Sequence, residues 1–201
     1  MLTAILRSLR TGVVTIRYPE DAAHPPERFR GAPSLRPGSV LAELPPQSIC
    51  PSGAIAYERL DGGEDERAPI VNVVRVRENG PLAFNAPLEL DGQSIGFRAT
   101  LCRCGLSKNK PYCDTSHVAA GFIATGEPAT QKTEPLAERA GTLAIAPQKD
   151  GPLRVTGNVE VVSGTGRTMN RMTKVAFFRC GHSSNKPYCD GTHKTVGFKS
   201  E

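Results

Sequence analysis

Two stretches of this chain carry the same set of soft metal-binding side chains. Residues 101–117 read LCRCGLSKNKPYCDTSH and residues 177–193 read FFRCGHSSNKPYCDGTH, identical at eleven of seventeen positions. In the first, Cys102 and Cys104 stand two apart, so in an extended segment their thiols point to one side and can grip one metal. Gly105 permits the turn that follows, and Pro111 stiffens the loop that brings the chain back to Cys113. Asp114 is placed as the N-cap of a short helical turn carrying His117, so Cys113 and His117 lie together across that turn. The result is two ligand pairs, Cys/Cys and Cys/His, and two irons bridged by sulfide need two protein ligands each. A structural Cys₃His zinc site is the competing reading, although zinc knuckles space their cysteines more widely than C-x-C. A Cys102–Cys104 disulfide is disfavoured by strain.

The second stretch repeats Cys104, Cys113 and His117 as Cys180, Cys189 and His193, each 76 residues later, but Phe178 stands where the first has Cys102. Three readings follow. Cys50 folds over to supply the fourth ligand; His182, an exogenous ligand or solvent fills the gap; or the site is empty or holds another metal, with Phe178 in the apolar core beside Phe177. The intact Cys189/His193 half and the unaltered loop point to an occupied second site. Ser107 and Ser183 are expected to bond loop backbone or cluster sulfur. Lys110 and Lys186 read as solvated lysines, or as docking contacts for an acidic partner.

The elements that position these residues also repeat. Gly121-Phe122 recurs as Gly197-Phe198, and NGPLAFNAPLEL (79–90) matches DGPLRVTGNVEV (150–161) at an offset of 71. The second copy therefore gains five residues, placed in the loop SGTGRTMNRM (163–172). Each copy opens with short alternating segments, IVNVVRVR then PLAF, and TLAIA then PLRV, before a strand that runs into the motif. Only one or two helical turns fit after each motif. The expected fold class is mainly β with short helices. Three blocks result: residues 1–69, a first unit over 70–126 and a second over 127–201.

Gly 20, Pro 17, no Trp and 38% hydrophobic residues in 201 predict many turns and a modest core, which a bound cluster would help to staple. A net charge of +5 without runs of Lys or Arg interleaved with aromatics reads as a solvated, mixed-charge surface and predicts no nucleic-acid partner. Six cysteines without a secretory signal predict reduced thiols and a cytoplasmic protein. No apolar run approaches the roughly 18 residues of a membrane span. No nucleophile with its base, nucleotide loop or substrate pocket is recognisable, so the chain is not expected to be an enzyme.

The two motifs closely resemble the mitoNEET-like CDGSH iron–sulfur domain family, whose pattern is C-x-C-x₂-[S/T]-x₃-P-x-C-D-G-[S/T]-H. The first copy matches at Cys102, Cys104, Ser107, Pro111, Cys113, Asp114, Ser116 and His117, and departs at Thr115, where the family has Gly. The second matches from Cys180 through Ser183, Pro187, Cys189, Asp190, Gly191 and Thr192 to His193, and departs at Phe178. The resemblance covers about residues 78–126 and 150–199. It implies a [2Fe–2S] cluster on three Cys and one His, used for electron transfer to a redox partner or cluster transfer to an apo-protein. It also implies paired lobes, which a tandem chain builds as an intramolecular pseudo-dimer within a monomer. A His ligand raises the potential over an all-thiolate set. If exposed it also takes a proton, so the first cluster is expected to become labile below about pH 6.5.

The N-terminal block bears a shorter resemblance. Leu2, Ile5, Leu6 and Leu9 fall at helical spacing, as in an organelle presequence or any short amphipathic helix, and VVTIRY (13–18) and AIAYERL (54–60) read as strands. Cys50-Pro51 resembles the end of a bacterial ferredoxin loop, but the other ligand positions hold Val40, Glu43 and Pro46, so no [4Fe–4S] cluster is expected. GVVTIRYPE and PERFRG are similar to the start of ferredoxin-type subunits of respiratory complex I. They imply a degenerate ferredoxin-like module or, equally, a β cap; an accessory subunit of a larger oxidoreductase is a further reading.

Overall fold

The computed structural model describes residues 67–200. The helix, strands and Cys50 expected in the N-terminal block lie outside these residues. Within them the chain forms β1 (Val73–Val76), β2 (Leu82–Asn85), β3 (Leu88–Leu90), β4 (Gln93–Ser94), β5 (Arg98–Leu101), the single helical turn α1 (Ser116–Ala119), β6 (Leu143–Pro147), β7 (Leu153–Val162), β8 (Thr168–Phe177) and the turn α2 (Thr192–Thr195). The fold is mainly β with short helices, in two repeats arranged as a pseudo-dimer.

The strands form where apolar residues alternate. In β1 Val74 and Val76 are buried, in β2 Leu82 and Phe84, and in β7 Leu153 and Val155, while the intervening side chains face outward. Each repeat first builds an antiparallel set. β1 pairs β2 and β2 pairs β5; β6 pairs the first half of β7, and that half pairs the end of β8.

The repeats then exchange strands. β3 of the first runs parallel to β6 of the second, Leu88 against Leu143, and β1 runs parallel to the second half of β7, Val73 against Glu160. In β7 the handover falls at a break in register between Thr156 and Val159. Gly157 sits there at φ +123, where a Cβ would lie 2.4 Å from the Thr142 carbonyl, so only glycine fits. In the first repeat the same handover is the interval between β2 and β3.

Both repeats consequently share one core, in which Val74, Leu82, Phe84 and Leu101 of the first pack with Leu143, Ile145, Leu153 and Phe177 of the second. Burying each such side chain contributes about 1.5–3 kcal/mol, so this shared core is the main bond between them. One expectation is corrected. Thr168–Met172 were read as loop but begin β8, with Met169 buried and Met172 paired to Val159. The five extra residues lengthen a hairpin where the first repeat has only β3 and β4.

Candidate metal centre

The first motif starts where β5 ends. The Cys102 N–H donates to the Pro111 carbonyl (2.8 Å) and the Cys113 N–H to the Thr100 carbonyl (2.9 Å), so the loop between them closes and sets the two cysteines on facing segments. Inside the loop Ser107 Oγ donates to the Tyr112 carbonyl (2.6 Å) and accepts from the Asn109 N–H (3.1 Å). Lys110 Nζ donates to the Ser107 carbonyl at 2.7 Å. The second loop repeats all three bonds with Ser183, Tyr188, Asn185 and Lys186. The two serines therefore serve loop backbone, and the two lysines are loop staples rather than freely solvated side chains.

Asp114 is one residue short of the expected N-cap. Thr115 holds that position at φ 71 and gives no side-chain capping bond. Asp114 instead accepts the Ser116 N–H through Oδ1 (3.0 Å) and the Lys108 N–H through Oδ2 (2.8 Å). The Lys108 amide, then Ser116, hold its carboxyl well below the usual range. In the second motif Gly191 takes the same left-handed position without strain, at φ 89. A β-branched residue with positive φ costs roughly 1–2 kcal/mol. Thr115→Gly is therefore expected to stabilise the protein by about 1 kcal/mol, read as a higher urea midpoint.

The four candidate ligands of the first motif come as two pairs. Cys102 and Cys104 bring their Sγ atoms to 3.6 Å, and Cys113 Sγ lies 3.4 Å from His117 Nδ1. The Leu106 N–H points at Cys104 Sγ (3.5 Å) and the Thr115 N–H at Cys113 Sγ (3.4 Å). Cys102 and Cys104 are buried, whereas Cys113 is half-buried. The hydrogen bond with Cys104 makes Cys102 the more acidic of its pair, and it raises Cys104, as burial also does.

In the second motif the backbone is the same and the side chains differ. Phe178 N–H meets the Pro187 carbonyl (3.2 Å) and Cys189 N–H the Ala176 carbonyl (2.8 Å), while the Gly191 N–H points at Cys189 Sγ (3.4 Å). His193 turns Nδ1 to the Asp150 carbonyl (2.8 Å) instead of to the neighbouring sulfur. His182 Nδ1 contacts the Cys180 carbonyl (2.6 Å), within its own loop. Phe177 lies in the core between Phe84 and Tyr188. Phe178 is also buried, but its ring sits between cations, with Arg103 Cζ 5.9 Å and Lys186 Nζ 5.7 Å from the centroid.

A family model described as iron-binding zinc finger, CDGSH type, matches twice, over residues 76–118 and 150–194. Both repeats thus match the CDGSH family model, in tandem. The chain is 30% identical over 66 residues to the mouse CDGSH iron-sulfur domain-containing protein 1, and equally to the rat protein. Those matches take 33% of this chain and 57% of each relative, so the chain spans little more than half the length of the curated relatives it matches. The matched model is that of an iron-binding domain. No helix among the described residues is long and apolar enough to cross a membrane.

Each CDGSH domain also buries an arginine that motif reading passed over. Arg103, between Cys102 and Cys104, is 1% exposed. Its Nε donates to the Gly80 carbonyl (2.6 Å), Nη1 to Thr125 (3.3 Å), and Nη2 to Ala124 (3.1 Å) and to Arg77. Burial lowers it to about 10, against the charges of Glu78 and Cys104, so it stays cationic at neutral pH. Arg179 matches it in the second CDGSH domain, donating to Gly151 (2.9 Å) and Gln148 (2.5 Å). The available signal was their identity in both copies, set against the divergence of Leu106/His182 and Lys108/Ser184.

The two CDGSH loops meet back to back. A Cβ at Gly105 would lie 3.1 Å from the Arg179 and Cys180 carbonyls, and one at Gly181 2.6 Å from the Cys104 carbonyl. Beside this contact runs a groove of about 290 Å³, lined by Cys104, Leu106 and Phe122 from one domain and Cys180, His182 and Phe198 from the other.

Proposed function

We propose that the first CDGSH domain holds a [2Fe–2S] cluster on Cys102, Cys104, Cys113 and His117, and that the protein passes electrons, or the cluster itself, to a redox partner or apo-protein acceptor. The observation that carries this is the pairing of the donors, 3.6 Å between the Cys102 and Cys104 sulfurs and 3.4 Å between Cys113 Sγ and His117 Nδ1. Two pairs on facing segments suit two metals.

When bound, such a cluster supplies a one-electron couple. The protein's part is to hold and shield it. The Leu106 and Thr115 N–H groups point at two of the sulfurs and stabilise their negative charge, which favours reduction. Buried Cys102 and Cys104 exclude water on one side, and half-buried Cys113 and His117 form the side an acceptor can approach. The second CDGSH domain offers Cys180, Cys189 and His193, with Phe178 in the fourth place, and is the weaker of two sites.

Purified in air, the protein is expected to be coloured, with iron and acid-labile sulfide in equal amounts. A colourless protein carrying only zinc would overturn the proposal. His117→Cys should leave iron bound at the first site but move its potential to a more negative value, since a thiolate replaces the neutral imidazole, and a variant with an unmoved potential would deny the imidazole its role.

A further inference from the structure

We infer that Arg179 of the second CDGSH domain is a positioning residue for the first, its guanidinium providing the cation against which the Cys102 thiolate and the bound cluster are held. This rests on the reading of Cys102 as a ligand. The two repeats are related by a pseudo-two-fold that maps Cys102 onto Phe178 and Arg103 onto Arg179. On one side of the axis the pairing is a direct contact, with the Arg103 guanidinium over the Phe178 ring across the boundary between repeats. Carried through the pseudo-two-fold, the same crossing assigns Arg179 to the Cys102 side. The loop contacts are reciprocal, Gly105 against Arg179 and Cys180, Gly181 against Cys104.

The environment leaves the charge of Arg179 effective. The residue is buried, its hydrogen bonds end on the neutral carbonyls of Gly151 and Gln148, and Phe198 lies against it at 5.6 Å. A fixed cation in such a site interacts far more strongly than one in water. It favours the more negative, reduced state while staying protonated itself; one electron enters from the donor and no proton moves at Arg179.

The asymmetry between the repeats sharpens the assignment. Arg103 faces the rings of Phe122 and Phe178, a cation–π arrangement in place of a second thiolate crossing. Only one of the two crossings therefore carries a sulfur ligand. The first domain's site is complete only with the second domain's arginine.

The test uses the full chain carrying Cys189→Ser, so that absorbance reports the first domain, titrated with redox mediators. Arg179→Gln removes the charge but still donates a hydrogen bond, and Arg179→Lys keeps the charge. Arg179→Gln is expected to lower the equilibrium constant for reduction about tenfold, about 59 mV more negative for a one-electron couple. Arg179→Lys should stay near the parent. If Arg179→Gln retains no cluster while Arg179→Lys does, the charge is again what holds the site. An unmoved potential in Arg179→Gln, equal shifts in both variants, or loss of the cluster from both would overturn the inference. A parent chain lacking equal iron and sulfide would instead sink the cluster assignment itself.

Discussion

Phe178→Cys is expected to raise the iron bound per chain while lowering the stability of the metal-free protein. At position 178 the backbone already does what it does at 102, with its N–H on the Pro187 carbonyl as Cys102 has its own on Pro111. Cys189 keeps its facing place through the bond to Ala176 and its N–H contact from Gly191. What the second domain lacks is one sulfur, and the substitution supplies it. The cost lies in the ring, which is 1% exposed and fills the space between Arg103 and Lys186. Removing a buried phenyl group costs about 3–5 kcal/mol, and the cysteine replaces only part of that volume. Metal binding, which is coupled to folding, then offsets the loss. Iron per chain and the urea midpoint, each measured with and without reconstitution, check both halves. Unchanged iron with an intact fold would show that His193, turned to the Asp150 carbonyl, limits the site instead.

Arg103→Leu is expected to be among the most destabilising single changes in the described region. The variant keeps the apolar packing against Phe122 and Phe178 but strips the donor from the carbonyls of Gly80, Thr125, Ala124 and Arg77. Each buried acceptor left unpaired costs about 1–3 kcal/mol. With some relief from entering water the total is on the order of 4 kcal/mol, visible as a large fall in the urea midpoint of metal-free protein. Arg179→Leu frees two carbonyls and should cost roughly half as much. Equal and small effects would mean that water replaces the guanidinium freely.

Much of this architecture could be read from local pattern. Alternation at Val74/Val76 and Leu153/Val155 marks strands because a half-buried sheet needs it, and the shared NKPYCD segment marks two loops closed by the same serine and lysine bonds. The exchange of strands was not legible, because the pairing of Leu88 with Leu143 joins residues far apart in sequence and leaves no short-range mark. Lys110 and Lys186 were misjudged for a related reason. A sequence shows their charge but not the carbonyl that the loop turns toward each ammonium. The extra residues of the second copy were placed correctly in number and wrongly in kind, since Thr168–Met172 alternate too weakly to announce a strand and are held by the partner strand β7. Phe178 stands out in the sequence as the residue in place of Cys102, but its cationic neighbours come one from the other repeat and one from its own loop.

The strand exchange also governs the order of events during synthesis. β1 needs β7 along one side and β3 needs β6. A chain made only as far as residue 142 therefore carries two strands with an unpaired edge, each a template for pairing with a stranger. The first repeat emerges with its whole Cys/His motif yet unfinished as a sheet until Leu153–Val162 arrives. Maturation of the early half thus waits on the late half, and the full-length chain is the first that can close around its own cargo.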